Sequence, residues 1–243
     1  MNTLIIILKK ISRLIYLLVP IEFHPLHKNE KIRKLSFIYQ KYLHDELNDC
    51  YNHFKKYFKH SMLFFDVKRI QDYAIKLAID NDKEDNNFYL EFGVHTGESA
   101  NFFSKKIKKL YGFDSFEGLR EDWYGTEKYK GVFNLNKKIP SLENNVIPVV
   151  GWVQDTLNDF LKTHNPKIIF AHLDFDTYPS TKYTLEKIKP YLDKNAVIIF
   201  DDMFNFAGWN EGEYKALNEV FNETEYDFKA FNFSGKQVVI QKK

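Results

Sequence analysis

Phe88-Tyr89-Leu90-Glu91-Phe92-Gly93-Val94-His95-Thr96-Gly97-Glu98-Ser99 is the stretch on which the fold turns. Phe88–Phe92 is short, apolar and aromatic, as a strand covered on both faces should be. Gly93 permits a tight turn out of that strand, and residues 98–107 read as the helix that follows. Gly97 stands near that helix's N-terminus, where backbone can approach a ligand. The glycine spacing is not Gly-x-Gly-x-x-Gly. Glu91, just before the turn, is awkward beside a diphosphate but suits a cationic group. A purely structural strand-turn-helix remains open at this point.

Working outward, further short apolar runs read as strands at residues 109–113, 146–150, 168–173 and 196–200. Helical stretches fall between several of them, at 156–162 and 180–192, with others at 69–79 and 212–221. Residues 227–233 and 237–241, separated by Ser234-Gly235-Lys236, form an antiparallel hairpin. The expected fold is α/β, a Rossmann-like doubly wound sheet of seven strands, mostly parallel with an antiparallel C-terminal hairpin, plus N-terminal helices. Residues 115–145 contain Trp123, Gly125, Gly131 and Pro140 and match no regular element. Irregular connections longer than about 12–15 residues are uncommon and usually functional, so this one is expected to be a lid.

Residues 1–65 read as a separate helical segment, broken at Pro20 and Pro25. Lys9, Lys10 and Arg13 interrupt its first apolar run, and that run precedes the basic residues. Neither a spanning helix nor a cleaved signal has this order. Leu4, Leu8, Ile11, Ile15 and Leu18 can share one helical face, giving an amphipathic helix. Packing on the core or in a homodimer, and peripheral contact with the inner surface of a membrane, are both compatible with it.

Bulk composition narrows the function classes. Hydrophobic residues make up 44% and charged residues 28% of the 243, which excludes a disordered chain. Aromatics reach 17%, expected to fill a Phe-rich core. Net charge is only +2 and no basic stripe interleaves with aromatics, so nucleic acid is not an expected partner. Cys50 is the single cysteine, which excludes an internal disulfide or a cysteine metal cage and fits a cytoplasmic setting.

In open α/β sheets, ligands sit at the carboxyl ends of the strands. Here those ends are acidic. Asp114 follows the second strand about 20 residues past the glycine turn, where a carboxylate can hold ribose hydroxyls. An Asx turn is its alternative. His172-Leu173-Asp174-Phe175-Asp176 closes the fourth strand and Phe200-Asp201-Asp202 the fifth. Asp174, Asp201 and Asp202 on neighbouring strands repel unless a cation joins them, and a hard divalent ion such as Mg²⁺ suits oxygen ligands. Helix N-caps are the competing explanation.

These motifs, together with Gly112-Phe113-Asp114-Ser115-Phe116-Glu117-Gly118-Leu119 and Gly151-Trp152 with Asp155-Thr156-Leu157, resemble the macrocin O-methyltransferase (TylF-like) family of class I S-adenosylmethionine-dependent methyltransferases. The resemblance spans roughly residues 87–221. It implies that residues 66–243 form the methyltransferase domain, with Glu91, Gly93, Asp114 and Ser115 lining the S-adenosylmethionine pocket. Trp152 and Asp155 would stand at the cofactor's rim. His95, Gly97 and Ser99 on the first turn, and Asp174, complete the cofactor-binding candidates. It further implies that Asp174, Asp201 and Asp202 hold Mg²⁺ or another divalent cation, and that Asp176 is the general base. His172 is the second catalytic candidate, with a packing role as its alternative.

The implied acceptor is a hydroxyl on a sugar, free, glycosylated or nucleotide-linked, such as a surface-glycan precursor. His95 and Thr96 depart from the family pattern after Gly93-Val94, as does Arg120 after Leu119. Two other readings compete. A nucleotide-dependent oxidoreductase lacks its glycine fingerprint here, and an inactive scaffold docked through the N-terminal helix would have no use for the acidic set.

Overall fold

A computed structural model describes residues 37–84 and 86–243. The amphipathic helix expected at Leu4–Leu18, with Pro20 and Pro25, lies outside these residues. Helices α1 (Phe37–Phe58), α2 (Val67–Asn81), α3 (Glu98–Ser104), α4 (Val153–His164), α5 (Tyr178–Ile188) and α6 (Glu213–Val220) surround one sheet. Its strands are β1 (Met62–Phe64), β2 (Phe88–Phe92), β3 (Leu110–Asp114), β4 (Val146–Val150), β5 (Ile168–Leu173), β6 (Leu192–Phe200), β7 (Tyr226–Asn232) and β8 (Val238–Lys242). The order across the sheet is β1-β7-β8-β6-β5-β2-β3-β4, with β8 antiparallel to both neighbours and every other pairing parallel.

The sheet therefore has eight strands and not the expected seven. The additional strand, β1, is three residues long and among the described residues pairs only with β7, at the end of the strand order. Three residues carry no measurable alternation, and Met62 and Leu63 stay exposed, so no burial pattern marks them in the sequence.

Alternation along each strand divides the core into two layers. Leu90, Phe92, Ile198 and Phe200 point to a layer shared with α4, α5 and α6, while Tyr89, Val197 and Ile199 point to one shared with α2 and α3. The high phenylalanine content fills these layers, and eight of the largest fully buried side chains are Phe. Residues Asp45 to Lys243 form one compact unit. Within that unit the second half of α1 covers the α6 side of the sheet. Phe54 is wholly buried there, with its ring 5.2–6.4 Å from those of Tyr57, Trp209, Tyr214, Phe228 and Phe231.

Local sequence sets the helix ends. Asp66 caps α2 by accepting the Arg69 amide at 3.0 Å. Pro179 occupies the first turn of α5, where a missing amide costs nothing. Among the described residues no helix is long and apolar enough to cross a membrane.

Candidate active site

The chain leaves β2 toward β3 and β4 on one side, then returns to β5 on the other side of β2. That reversal opens a crevice at the carboxyl ends of β2 and β5. The strand tips around it are laced by backbone hydrogen bonds. Gly93 donates to Phe113 (2.9 Å), Asp174 to Phe92 (2.8 Å), Asp201 to Leu173 (2.9 Å) and Gly151 to Asp114 (2.9 Å). Gly93 has φ +88°, and a Cβ there would lie 2.0 Å from the Asp174 carbonyl oxygen. The glycine thus lets the β2 turn press against the β5 tip, which brings the turn and the acidic cluster together.

The crevice is a cleft of about 510 Å³ lined from the strand tips by Gly93, His95, Asp114, Ser115, Trp152, Asp174, Asp176, Asp201 and Asp202. This volume suits a small-molecule ligand. The connection over residues 115–145 adds Leu119, Arg120, Trp123 and Phe133 to the wall. It contains no helix or strand but is folded on itself through bonds such as Leu119 N–H to the Val132 carbonyl (2.9 Å). Glu121 ties it to the start of α5 by accepting from Thr177 Oγ1 at 2.5 Å.

Asp114 is more occupied than a free ribose ligand would be. Its Oδ2 accepts the amides of Val94 (2.8 Å) and His95 (2.7 Å), and its Oδ1 accepts that of Phe116 (2.6 Å). The carboxylate closes an Asx turn, clamps the β2 turn and also lines the cleft.

Five other candidates, Gly97, Ser99, Asp155, Glu91 and His172, stand outside the lining. Gly97 leaves room for the 115–145 connection, since a Cβ would lie 2.6 Å from Leu142 Cδ2. Ser99, half-buried in α3, does not reach the cleft wall. Asp155 is exposed in the first turn of α4, where a carboxylate complements the helix dipole. Glu91 is fully buried on β2 and faces protein: its Oε1 accepts from His172 Nδ1 at 2.9 Å. Strand alternation placed Glu91 beneath the turn instead of in it, because β2 aligns Glu91 directly with His172 of β5.

The acidic residues converge, but not as one triad. His172, Asp174 and Asp201 offer ligand atoms all within 4.8 Å of one another, and so do Asp174, Asp176 and Asp202. Asp174 belongs to both groups. Asp202 is drawn away by Lys236 of the β7–β8 turn, whose Nζ bonds Asp202 Oδ1 while lying 4.6 Å from the Trp123 ring centroid. Gln237 donates to Asp201 Oδ1 at 3.0 Å, and buried Glu213 of α6 accepts the Asp202 amide at 2.9 Å. Sequence reasoning missed Lys236, Gln237 and Glu213. For the first two the strand pairing supplies the reason: β8 is antiparallel to both β6 and β7, so the hairpin turn after β7 lies at the acidic end of the sheet.

Crowded carboxylates shift one another. Burial, reinforced by Asp201, raises Asp174 well above the carboxylate range. Burial and the neighbouring Asp202 push Asp176 up to about 9, and Asp202 is itself raised by burial and Asp201. Burial would also raise Asp201, but His172 beside it outweighs that effect and holds it low. Asp176 sits in the left-handed region at φ 62°, strain of the sort that persists where the surroundings fix a side chain for a purpose. Such a set fits a divalent cation, whose charge relieves the repulsion.

Residues 90–203 match a family described as a methyltransferase domain. No curated protein matches the sequence. The structure of CalS11, calicheamicin methyltransferase, superposes with a TM-score of 0.60 at 21% identity, covering 72% of this chain and 77% of that one. An apo structure of CalS11, described as TDP-rhamnose 3'-O-methyltransferase, gives 0.53 at 20% identity, with the same coverage of 72% and 77%. The O-methyltransferase NovP gives 0.50 at 19% identity over 72% of this chain and 80% of that chain. Likeness at these identities establishes the fold. The chain has the α/β fold of these solved methyltransferases, and its residues 90–203 are similar to the methyltransferase domain family.

Proposed function

We propose that the protein transfers a methyl group from S-adenosylmethionine to a hydroxyl of a small sugar acceptor, assisted by a divalent cation at the acidic cluster. The observation that carries this reading is the opening of the glycine turn and the carboxylate cluster into one cleft. A sugar acceptor is supported by the likeness to CalS11, a TDP-rhamnose 3'-O-methyltransferase.

When bound, the cofactor supplies an electrophilic sulfonium methyl and the cation a Lewis acid that lowers the pKa of an alcohol. The chain does the rest. Asp114 holds the turn that cradles the cofactor, with a remaining lone pair on Oδ1 for a ribose hydroxyl. Ser115 and Trp152 flank that position, and the Arg120 guanidinium lies 5.5 Å from the Trp152 ring centroid. Asp174 bridges the two halves of the cluster and, with Asp201 and Asp202, supplies the negative charge that retains the cation. Asp176, whose raised pKa the cation's charge would bring down, would then accept the acceptor's proton on its carboxylate. Residues 115–145 exclude water and align the reactants.

Mass spectrometry of nucleotide-linked sugars incubated with S-adenosylmethionine, with and without divalent cation, tests the activity. The expected product carries one added methyl group and depends on the cation. Asp176→Asn is expected to lower kcat about 10²–10⁴-fold with cofactor binding retained. Near-normal turnover in that variant removes Asp176 from the role of base, and absence of cofactor binding by the wild type in calorimetry removes the whole reading.

A further inference from the structure

His172 is wholly buried, yet its Nε2 has no hydrogen-bond partner among the described residues. That nitrogen faces the acidic cluster, 3.6 Å from Asp201 Oδ1. Its other nitrogen, Nδ1, donates to Glu91 Oε1 at 2.9 Å, and Glu91 is equally buried. A carboxylate behind the imidazole fixes the ring and aims the far nitrogen at the cluster; burial disfavours a proton there, but Asp201 and Glu91 outweigh it and keep the ring protonated until a cation takes the proton's place. Metal-binding histidines are held in this way.

We infer that the cation's seat is His172 Nε2 with Asp174 and Asp201, backed by Glu91, and that this seat selects a transition-metal ion over Mg²⁺. The inference rests on the metal-assisted reading above and replaces one member of its ligand set. Two observations favour His172 over Asp202 as the third ligand. The His172, Asp174 and Asp201 ligand atoms lie within 4.8 Å of one another, the span of ligands around one small ion. Asp202 already has a cation, the Lys236 ammonium on its Oδ1. Imidazole nitrogen suits Fe, Co, Ni and Zn, whereas Mg²⁺ prefers oxygen and water. Occupation leaves the Nδ1 proton on its bond to Glu91 and requires Nε2 to be neutral, so any proton there departs to solvent.

The test is spectroscopic and does not depend on turnover. Mn²⁺ bound to the full chain is expected to show ¹⁴N coupling from one imidazole in pulsed electron paramagnetic resonance, and Co²⁺ to bind at least roughly tenfold more tightly than Mg²⁺ in calorimetry. His172→Gln should abolish the nitrogen coupling and reduce the preference for Co²⁺ over Mg²⁺. Glu91→Gln should keep the coupling but weaken Co²⁺ binding about 10–100-fold. Bound Mn²⁺ without nitrogen coupling, or no divalent binding at all, overturns the inference. If His172→Gln does not fold, the wild-type spectrum decides alone. Titration with S-adenosylmethionine in the same samples separates the two ideas. Cofactor binding without nitrogen coupling sinks only the metal seat, and nitrogen coupling without cofactor binding sinks only the methyl transfer.

Discussion

Replacing Gly93 by alanine places a methyl group 2.0 Å from the Asp174 carbonyl oxygen, more than an ångström inside ordinary van der Waals contact. The obstacle is backbone on a central strand tip, so relief requires β2 and β5 to separate where Asp174 N–H bonds Phe92 O. Two costs combine. A left-handed conformation costs a residue with a Cβ about 1–2 kcal/mol, and overpacking a tight site costs about 1–3 kcal/mol more. Gly131 provides the control, because its φ of +86° is almost the same and nothing lies within 4 Å of its would-be Cβ. Gly131→Ala should therefore show only the conformational part. In urea denaturation, Gly93→Ala is expected to lose about 2–5 kcal/mol and Gly131→Ala about 1–2 kcal/mol. At roughly 2–4 °C per kcal/mol, the first lowers Tm by about 4–20 °C. Because the displaced atom belongs to Asp174, cofactor and cation affinity should fall with stability in Gly93→Ala alone. Equal losses in the two variants would refute the claim that backbone proximity, and not φ, makes this glycine necessary.

Three other outcomes follow from the same geometry. Phe54→Ala removes a fully buried ring from the aromatic cluster between α1 and the sheet, and should cost about 3–5 kcal/mol in urea unfolding; a loss below about 1 kcal/mol would show that this half of α1 does not cover the core. Cys50 is buried, and burial pushes its thiol up to about 11, so under about one thiol in a thousand is ionised near pH 8; a thiol reagent should label it only after denaturation, and rapid stoichiometric labelling of native protein would contradict its burial. Asp176 has a folded pKa of about 9 against 3.8, so its contribution to stability is complete below 3.8 and is lost as pH rises toward 9. A divalent cation takes over that role where the protons are gone, so the Tm gain on adding Mn²⁺ should be larger near pH 8 than near pH 5, and a gain independent of pH would count against a cation among these carboxylates.

The element types were legible because each is governed by near neighbours. Leu90, Phe92, Ile198 and Phe200 alternate with residues that fill the opposite layer, and that period is written in the chain. The acidic tips were legible for a related reason, since Asp174 and Asp201–Asp202 end apolar runs and strand ends are where open sheets bind ligands. What the chain order could not reveal was partnership. Glu91 reads as a cleft residue from its place before Gly93, and only the register of β2 against β5 turns it toward His172. Lys236 reads as a turn residue, and only the antiparallel seat of β8 beside β6 delivers its ammonium to Asp202. Gly97 reads as a ligand approach and instead receives Leu142 from a loop some forty residues later. Sequence by itself determined seven of the eight strands, all but the three-residue edge strand β1, and where their charges lie along them. The tertiary structure decided which charges meet, because pairing across a sheet depends on strand order and register, which no local pattern encodes.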